Sequence, residues 1–312
     1  MNCTNCPRHC AVDRTVARGF CQAGPQPEAA TVCVHRGEEP PLCGEKGICN
    51  VFFSHCNLQC IYCQNYQISS YRNNPNNLNN PNNPITQDNP PSCLVGIEAI
   101  ADRVAEVLPQ TENIVGLVTP SHYADSIPAL VEALHSRGLF PTIVYNTGGY
   151  DSVETLRALA PYIDIYLPDF KYMDPALALR YSHAEDYPEV ALAALKEMYY
   201  QKGSALPTDD NGIAYRGIIV RHLVLPGQVE NSLAVLDAIA DISLNLHVAL
   251  MAQYFPPFDG LPDQLGRTLT ADEYRQVTDR FHSVGLHRGW LQELDAQACY
   301  RPDFSRQQAF EK

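Results

Sequence analysis

The sequence has few positive charges and no long apolar run. Lys and Arg number 22 against 35 Asp and Glu in 312 residues, a formal net charge of −13. So acidic a chain is a poor ligand for nucleic acid or an anionic membrane, and we expect neither as a partner. No stretch approaches the roughly 20 apolar residues of a membrane span. The first ten residues, MNCTNCPRHC, also lack the apolar segment of a signal peptide. We therefore expect a cytoplasmic protein.

Cysteine, by contrast, is abundant, with 12 residues. Thiols stay reduced in the cytoplasm, so this number indicates metal binding rather than disulfide bonds. The apolar fraction of 45% is enough for a sizeable core. The length suits one large α/β domain with appendages.

Short apolar runs alternate with amphipathic segments along most of the chain. The runs are rich in β-branched and aromatic residues, as buried parallel strands are, and lie at 51–53, 113–118, 142–146, 164–170, 217–225 and 246–251. Helices are predicted between and after them at 94–108, 124–137, 152–160, 187–202, 230–241 and 271–284. Two helices carry start signals, Asp151-Ser152 and the Thr270/Glu273 capping box. The alternation predicts an α/β fold with a parallel sheet, either a partial (β/α)6-type TIM barrel or a doubly wound sheet.

Composition divides the chain into zones. Residues 1–48 contain six cysteines and little periodicity, and we interpret them as a Cys-rich amino-terminal extension. The predicted core spans 49–293, and a tail follows at 294–312. Within the core, residues 73–92 read NNPNNLNNPNNPITQDNPPS. Such a segment buries too little apolar area to offset its ordering entropy, so we predict a disordered surface insertion.

The segment VFFSHCNLQCIYCQNY places Cys56, Cys60 and Cys63 in a C-x3-C-x2-C array directly after an apolar strand. Loops at the carboxyl ends of strands hold the chemistry of barrel and open-sheet enzymes. Three such thiolates can ligate three irons of a 4Fe-4S cluster. The remaining iron is then open to the amino and carboxylate groups of S-adenosylmethionine. The alternative is a zinc knuckle that takes a fourth ligand from elsewhere.

Residues 52–69, FFSHCNLQCIYCQNYQIS, resemble the radical S-adenosylmethionine superfamily, and within it the proteins related to pyruvate formate-lyase activating enzyme. The likeness continues weakly to about residue 293. It implies a radical SAM barrel, reductive cleavage of S-adenosylmethionine to a 5′-deoxyadenosyl radical, and an electron donor of the flavodoxin or ferredoxin type. The substrate is either a protein that receives a glycyl radical, or a small molecule or peptide. A non-catalytic zinc or iron-sulfur regulatory module is the alternative function.

The resemblance also implies cofactor contacts at the strand ends and beside the cysteines. The residues that it places there are Tyr62, Thr119, Ser121, Asn146, Thr147, Asp169, Lys171 and Arg221. Residues 119–122 stand where the family has a Gly-Gly-Glu turn, and their hydroxyls can accept a hydrogen bond from the cofactor ammonium. The guanidinium of Arg221 suits the cofactor carboxylate. Gln253 and Tyr254 correspond to the adenine pocket.

Simpler interpretations exist for several of these residues. His122 is either functional or an ordinary loop histidine, and 145–150 is either a ribose contact or a tight turn. Alternate residues of a strand share a face, so Asp169 and Lys171 meet either at the cofactor or only in a salt bridge. By the same alternation, His222 points away from the face that carries Arg221.

The amino-terminal zone carries a second cysteine array, C-x2-C-x3-C-x10-C, formed by Cys3, Cys6, Cys10 and Cys21. This spacing suits a structural zinc ion or a second iron-sulfur cluster, although thiols without a ligand are the alternative. Further cysteines either join this set or stay apart from it, namely Cys33, Cys43 and Cys49. Cys93 and Cys299 are isolated, and we interpret them as structural.

Overall fold

The architecture is taken from a computed structural model, which describes residues 3–69, 94–298, 301–304, 306 and 309–310. The predicted insertion at 73–92, Cys93 and Cys299 lie outside these residues. In the described ranges, no helix is both long and apolar enough to cross a membrane.

A mixed sheet of nine strands forms the centre of this α/β fold. The strands are β1 (Glu28–His35), β2 (Ile48–Phe53), β3 (Leu94–Val95), β4 (Ile114–Val118), β5 (Thr142–Thr147), β6 (Ile165–Pro168), β7 (Gly217–Leu223), β8 (His247–Met251) and β9 (Gly289–Leu291). They are ordered β3-β1-β2-β4-β5-β6-β7-β8-β9 across an open sheet. β1 is antiparallel to both of its neighbours, and all neighbours from β2 to β9 are parallel. The six predicted strands correspond to β2 and β4–β8.

Helices connect the parallel strands. They are α1 (Pro40–Cys43), α2 (Tyr66–Ser69), α3 (Ile97–Val107), α4 (Ile127–Ser136), α5 (Val153–Leu159), α6 (Pro175–Ser182), α7 (Tyr187–Lys202), α8 (Val229–Ile242) and α9 (Ala271–Ser283). Short 3-10 turns occur at Leu108–Gln110, Ser121–Ser126 and Leu294–Ala298. The six predicted helices match α3, α4, α5, α7, α8 and α9 within three residues at each end. The pattern did not predict α6 or the four-residue helices α1 and α2.

Both predicted helix starts are confirmed. The Ser152 hydroxyl accepts the Thr155 N–H at 3.3 Å and caps α5. At α9, the Thr270 hydroxyl accepts the Glu273 N–H at 3.3 Å, and the Glu273 carboxylate accepts the Thr270 N–H at 2.9 Å. This is a complete capping box, which satisfies amide groups that the first helical turn leaves unpaired.

The core lies mainly on one face of the sheet. Val115, Ile143 and Val220 pack there against apolar side chains of the helices that follow the strands. The alternate positions, among them Ile114 and Val144, face the other way into a smaller cluster with Leu42 of α1 and Ile213. The parallel strands β2 and β4–β9 lie side by side in the same order as in the sequence. The helices that connect them therefore cover the same face of the sheet. The doubly wound alternative is therefore wrong, since it requires a reversal of strand order.

The sequence pattern did not predict three strands, β1, β9 and the two-residue β3, which lies within the predicted helix 94–108. We expected little strand or helix periodicity before residue 48, and this is wrong for β1. Buried and half-buried residues do not alternate strictly along β1, because parts of both of its faces are covered. β9 has only three residues and begins at Gly289, whose φ is 120°. A Cβ at this position would lie 2.0 Å from the Val248 carbonyl oxygen, so only glycine lets the strand approach β8.

We expect Thr270→Ala to lower the free energy of unfolding by about 1 kcal/mol, because α9 loses its capping hydroxyl. Thr278→Ala is the matched control within the same helix. The Thr278 hydroxyl is exposed and bonds only to the Arg275 carbonyl. Its removal should change stability by less than about 0.5 kcal/mol. Urea unfolding followed by circular dichroism measures both, and equal losses would contradict the capping role.

Candidate functional site

A cavity of about 630 Å³ lies against the sheet face opposite the main helices. Phe52, Val118 and Met251 from three parallel strands contribute to its wall, together with the loop that carries the cysteine triad. Its volume is in the range of sites for small molecules and cofactors, about 300–1,000 Å³.

The cavity brings together most of the residues that the sequence singled out. Those on its wall are Cys56, Cys60, Tyr62, Cys63, Thr119, Asn146, Thr147, Asp169, Lys171, Arg221 and Gln253. Ser121, His122, His222 and Tyr254 are buried elsewhere. Residues separated by up to about 200 positions in the chain thus meet at one place.

The triad loop turns tightly between the cysteines. His55 and Gln59 adopt left-handed backbone conformations, with φ of 73° and 56°. Cys60 is buried, whereas Cys56 and Cys63 are half-buried. The left-handed residues reverse the chain twice, so that three sulfur atoms of one short loop line the same cavity.

Each sulfur of the triad accepts a hydrogen bond. The Leu58 N–H donates to Cys56 Sγ at 3.3 Å. The Ser69 hydroxyl donates to Cys63 Sγ at 3.2 Å, and the Ser182 hydroxyl donates to Cys60 Sγ at 2.9 Å. Such donors stabilise negative charge on sulfur, and they suit thiolate ligands of iron.

Burial, in contrast, disfavours the negatively charged form of the free thiols and raises their pKa. It raises the pKa of Cys56 to about 12, with a smaller contribution from Cys60 nearby. Burial likewise raises the pKa of Cys63 to about 11. Because thiolates are the form that binds metal, ligation must displace these protons. In the described ranges, no three Cys, His, Asp or Glu side chains are already placed to hold a single metal ion. Three soft sulfur donors on the wall of a roomy cavity do fit a cluster that leaves one iron open.

A chain of hydroxyl groups extends from Cys60 into the protein. Beyond Ser182, the Tyr172 hydroxyl lies 2.7 Å from the serine oxygen, and the Tyr62 hydroxyl lies 2.6 Å from that of Tyr172. All of these groups are buried. The chain fixes the Ser182 hydroxyl relative to the Cys60 sulfur, a contact that no sequence motif predicts.

Arg221 on β7 is the centre of a half-buried charge network on the cavity wall. Its Nε donates to Asp169 Oδ1 at 2.9 Å, its Nη1 to Glu38 Oε2 at 3.1 Å and its Nη2 to Asn146 Oδ1 at 2.6 Å. These contacts use three of the five N–H donors of a guanidinium. Burial would lower the pKa of Arg221, but the neighbouring Asp169 and Glu38 more than offset it, and the pKa stays raised.

Asp169 also pairs with Lys171, whose Nζ lies 2.6 Å from Asp169 Oδ2. The two side chains therefore meet in a salt bridge, although both follow the end of β6 and do not lie within the strand. Burial would raise the pKa of Asp169, but Lys171 and Arg221 prevail and hold it below its usual value. A carboxylate between two cations stays ionised, so the network carries fixed charges of both signs on the cavity wall.

Glu38 and Glu39 belong to the site, although sequence analysis did not single them out. Glu38 bridges Arg221 to Asn50, whose Nδ2 lies 2.9 Å from Glu38 Oε1. Burial raises the pKa of Glu39 to about 7. The only sequence signal is their position before Pro40 at the first turn of α1, which marks a helix start and carries no information about a cavity.

The turn after β4 has an unusual backbone. Thr119 has φ of 59°, which is rare for a β-branched residue, and its N–H bonds to the Asn146 carbonyl at 2.8 Å. This is the position at which the resemblance expects a glycine. His122 is fully buried, and burial lowers its pKa to about 3. Its Nε2 lies 2.8 Å from the Ser54 carbonyl, so it supports the turn from behind.

The remaining candidates have structural partners. Ser121 and Thr147 lie with their hydroxyl oxygens 3.0 Å apart, and Thr147 also donates to the buried Asp151. His222 points away from the face of Arg221, as predicted, and its Nε2 lies 2.9 Å from the Ser232 hydroxyl. Tyr254 donates to the Leu265 carbonyl at 2.6 Å. These contacts hold the site walls together.

The amino-terminal cysteines meet at a separate place. Cys3, Cys6, Cys10 and Cys21 line one small space, and all four are free thiols. The other cysteines with described positions do not join them. Cys33 and Cys49 are buried on β1 and β2, and Cys43 lies on the wall of the large cavity.

A scan against family models finds no match to the chain. The chain is similar to the uncharacterized protein MJ0674 of Methanocaldococcus jannaschii, with 28% identity over 294 residues, which are 91% of this chain and 75% of that protein. Crystal structures of Streptococcus suis SuiB, one of them bound to S-adenosylmethionine, align with a TM-score of 0.44 and 14% identity over 77% of this chain. The chain spans about half of SuiB, 47% and 48% in the two structures.

Proposed function

We propose that this protein is a radical S-adenosylmethionine enzyme, with a 4Fe-4S cluster on Cys56, Cys60 and Cys63. The observation that carries the proposal is the position of these three thiols, on the wall of the same cavity as a half-buried network of paired charges. When bound, the cluster supplies one electron to the sulfonium of S-adenosylmethionine, which yields methionine and a 5′-deoxyadenosyl radical. The chemistry that the bound cofactor would supply is abstraction of a hydrogen atom from the substrate.

In this proposal the chain binds and orients the cofactor. The two N–H donors of Arg221 that the network does not use receive the cofactor carboxylate. The hydroxyl of Thr119 on the cavity wall and the backbone carbonyls of the 119–121 turn accept from its ammonium group. Asn146 and Thr147 approach the ribose, and Tyr62, Asp169, Lys171 and Gln253 complete the wall.

We also propose that the parallel strands curl into a partial (β/α)6-type TIM barrel around the cavity, with β9 as an additional edge strand. Two features support this arrangement, because both occur in TIM barrels. The connecting helices lie on one face of the sheet, and the strands lie in the order of the sequence. The amino-terminal extension contributes β1 to the sheet and Glu38 to the cavity in this account.

The electron donor in this proposal is a flavodoxin- or ferredoxin-type protein. The substrate is either a glycyl-radical protein, as for activating enzymes, or a small molecule or peptide. A non-catalytic zinc or iron-sulfur module is the competing function, and the paired charges on the cavity wall favour the enzyme because a purely structural metal site does not need them.

Anaerobically reconstituted protein should be brown, and with dithionite and S-adenosylmethionine it should release 5′-deoxyadenosine. Cys60→Ala should reduce the product to background because the cluster loses one of three ligands. Cys33→Ala is the matched control. Cys33 is also a buried cysteine, but it is not among the residues that line the cavity, so product formation should persist. Chromatography with mass detection measures the product.

Equal product from wild type and Cys60→Ala would exclude the proposed reaction. Colourless protein that contains zinc alone would instead favour the regulatory module.

The role of Arg221 is tested by Arg221→Lys, which keeps the charge and removes the fork of donors. We expect the dissociation constant for S-adenosylmethionine to rise at least about tenfold, which corresponds to about 1.4 kcal/mol. Arg216→Lys is the control, since Arg216 is exposed and bonds only to backbone carbonyls of residues 201 and 202. Calorimetry on the reconstituted protein measures both. An unchanged constant for Arg221→Lys would remove this residue from the cofactor site.

A further inference from the structure

We propose that Cys3, Cys6, Cys10 and Cys21 bind one zinc ion as a tetrathiolate site, and that this site braces the loop of the cysteine triad. The zinc site itself is independent of the function proposed above. Its bracing of a cluster-binding loop rests on that function.

The space between the four cysteines has room for one ion. Its volume is about 10 Å³, close to that of a single water-sized probe. A four-iron cubane with its bridging sulfides is much larger and would force the segment apart. The four cysteines line the same space, although in the described ranges no three possible ligands are already placed around one ion, so binding must draw the sulfurs together. Zinc is the divalent ion whose structural sites are closed, four-coordinate and sulfur-rich.

The surroundings of the sulfurs suit thiolates. The Phe20 N–H donates to Cys10 Sγ at 3.3 Å. The Cys6 sulfur accepts from the backbone N–H of Arg8 and from the side chain of Asn57, and the Cys21 sulfur accepts from the N–H of Ala23. Backbone donors directed at sulfur act as the outer layer of a metal site and stabilise its negative charge.

Two cations compensate the charge of such a site. Four thiolates around one Zn²⁺ carry a net charge of about −2, counted from the formal charges of the ligands and the ion. Arg8 and Arg14 both line the space, and Arg14 Nη2 lies 3.7 Å from Cys21 Sγ. This chain is acidic as a whole, so two arginines beside four cysteines are a local exception.

The segment around these cysteines has few other interactions that stabilise it, so a bound metal ion would contribute to its stability. No named helix or strand precedes β1 in the described chain, and a few backbone bonds, such as Cys3 N–H to the Val12 carbonyl at 2.8 Å, hold the turns. His9 and Ala11 have φ of 42° and 49°, which costs conformational energy that other contacts must offset. Short irregular segments without a core of their own are commonly stabilised by a metal ion.

The same segment contacts the triad loop directly. Arg8 Nε donates to the Asn57 carbonyl at 2.8 Å, and Arg8 Nη2 donates to the Ser182 carbonyl at 3.1 Å. The Gln59 side chain donates to the Phe20 carbonyl at 2.7 Å. Asn57 and Gln59 lie between Cys56 and Cys60, and the Ser182 hydroxyl contacts Cys60. The amino-terminal segment thus holds the part of the loop that presents two of the three ligands.

The test removes the triad and counts the metals that remain. In Cys56→Ser/Cys60→Ser/Cys63→Ser, purified anaerobically, we expect one zinc per chain and neither iron nor acid-labile sulfide. Adding Cys6→Ser and Cys21→Ser should abolish the zinc, whereas adding Cys33→Ser should not. Plasma mass spectrometry measures the metals. Cobalt substituted for zinc should give the visible bands of a tetrahedral tetrathiolate site.

Iron with sulfide in the triad variant, or no metal at all, would overturn the zinc site. If the triad variant does not fold, the same count is made on the wild-type protein. More or less than one zinc per chain beside the iron would then overturn the zinc site equally.

The bracing of the triad loop is tested by the iron content. Cys6→Ser/Cys21→Ser in the otherwise wild-type chain should retain less iron than Cys33→Ser, and equal iron would refute the bracing. Absence of 5′-deoxyadenosine alone would affect the proposed function and leave the zinc count unchanged.

Discussion

The ion pair between Arg221 and Asp169 is the interaction on which the site depends. An isolated charge inside a sheet-lined cavity would be too costly to keep, so each charged group there must have partners. Arg221 obtains them from three elements, Asp169 after β6, Asn146 on β5 and Glu38 before α1. The network joins the middle of the sheet to the amino-terminal segment. Removal of Arg221 would leave Glu38 without its cation, and removal of Asp169 would leave Lys171 without its carboxylate, so the charges at this wall depend on one another.

Local patterns predicted the repetitive part of the fold. Runs of β-branched residues predicted the positions of β4–β8 within a few residues, and Thr270 with Glu273 predicted the start of α9. These signals are local because they depend on near neighbours in the chain. β1 and β9 depend on distant partners instead, as Gly289 against β8 illustrates. At the site, the cysteine spacing marked the triad loop. Glu38 and Ser182 carry no local signal, since their contacts with Arg221 and Cys60 arise only from packing across the cavity.

The two cysteine groups differ in the volume of the space that they line, and this difference determines which metal group each can hold. The triad lies on a cavity of about 630 Å³, whereas the amino-terminal four surround about 10 Å³. A large cavity with paired charges suits a cluster that shares its open iron with a zwitterionic cofactor. A closed space suits a structural ion. Asn57 touches both groups, since it follows Cys56 in the chain and its side chain contacts Cys6.

The central claim is that the triad binds a cluster with one iron left open for S-adenosylmethionine. Mössbauer spectroscopy of protein reconstituted with ⁵⁷Fe, recorded with and without S-adenosylmethionine, tests it most directly. The account predicts a 4Fe-4S spectrum in which the signal of one iron shifts when S-adenosylmethionine is added. A spectrum that does not change on addition, or iron that does not assemble into a four-iron cluster, would contradict it.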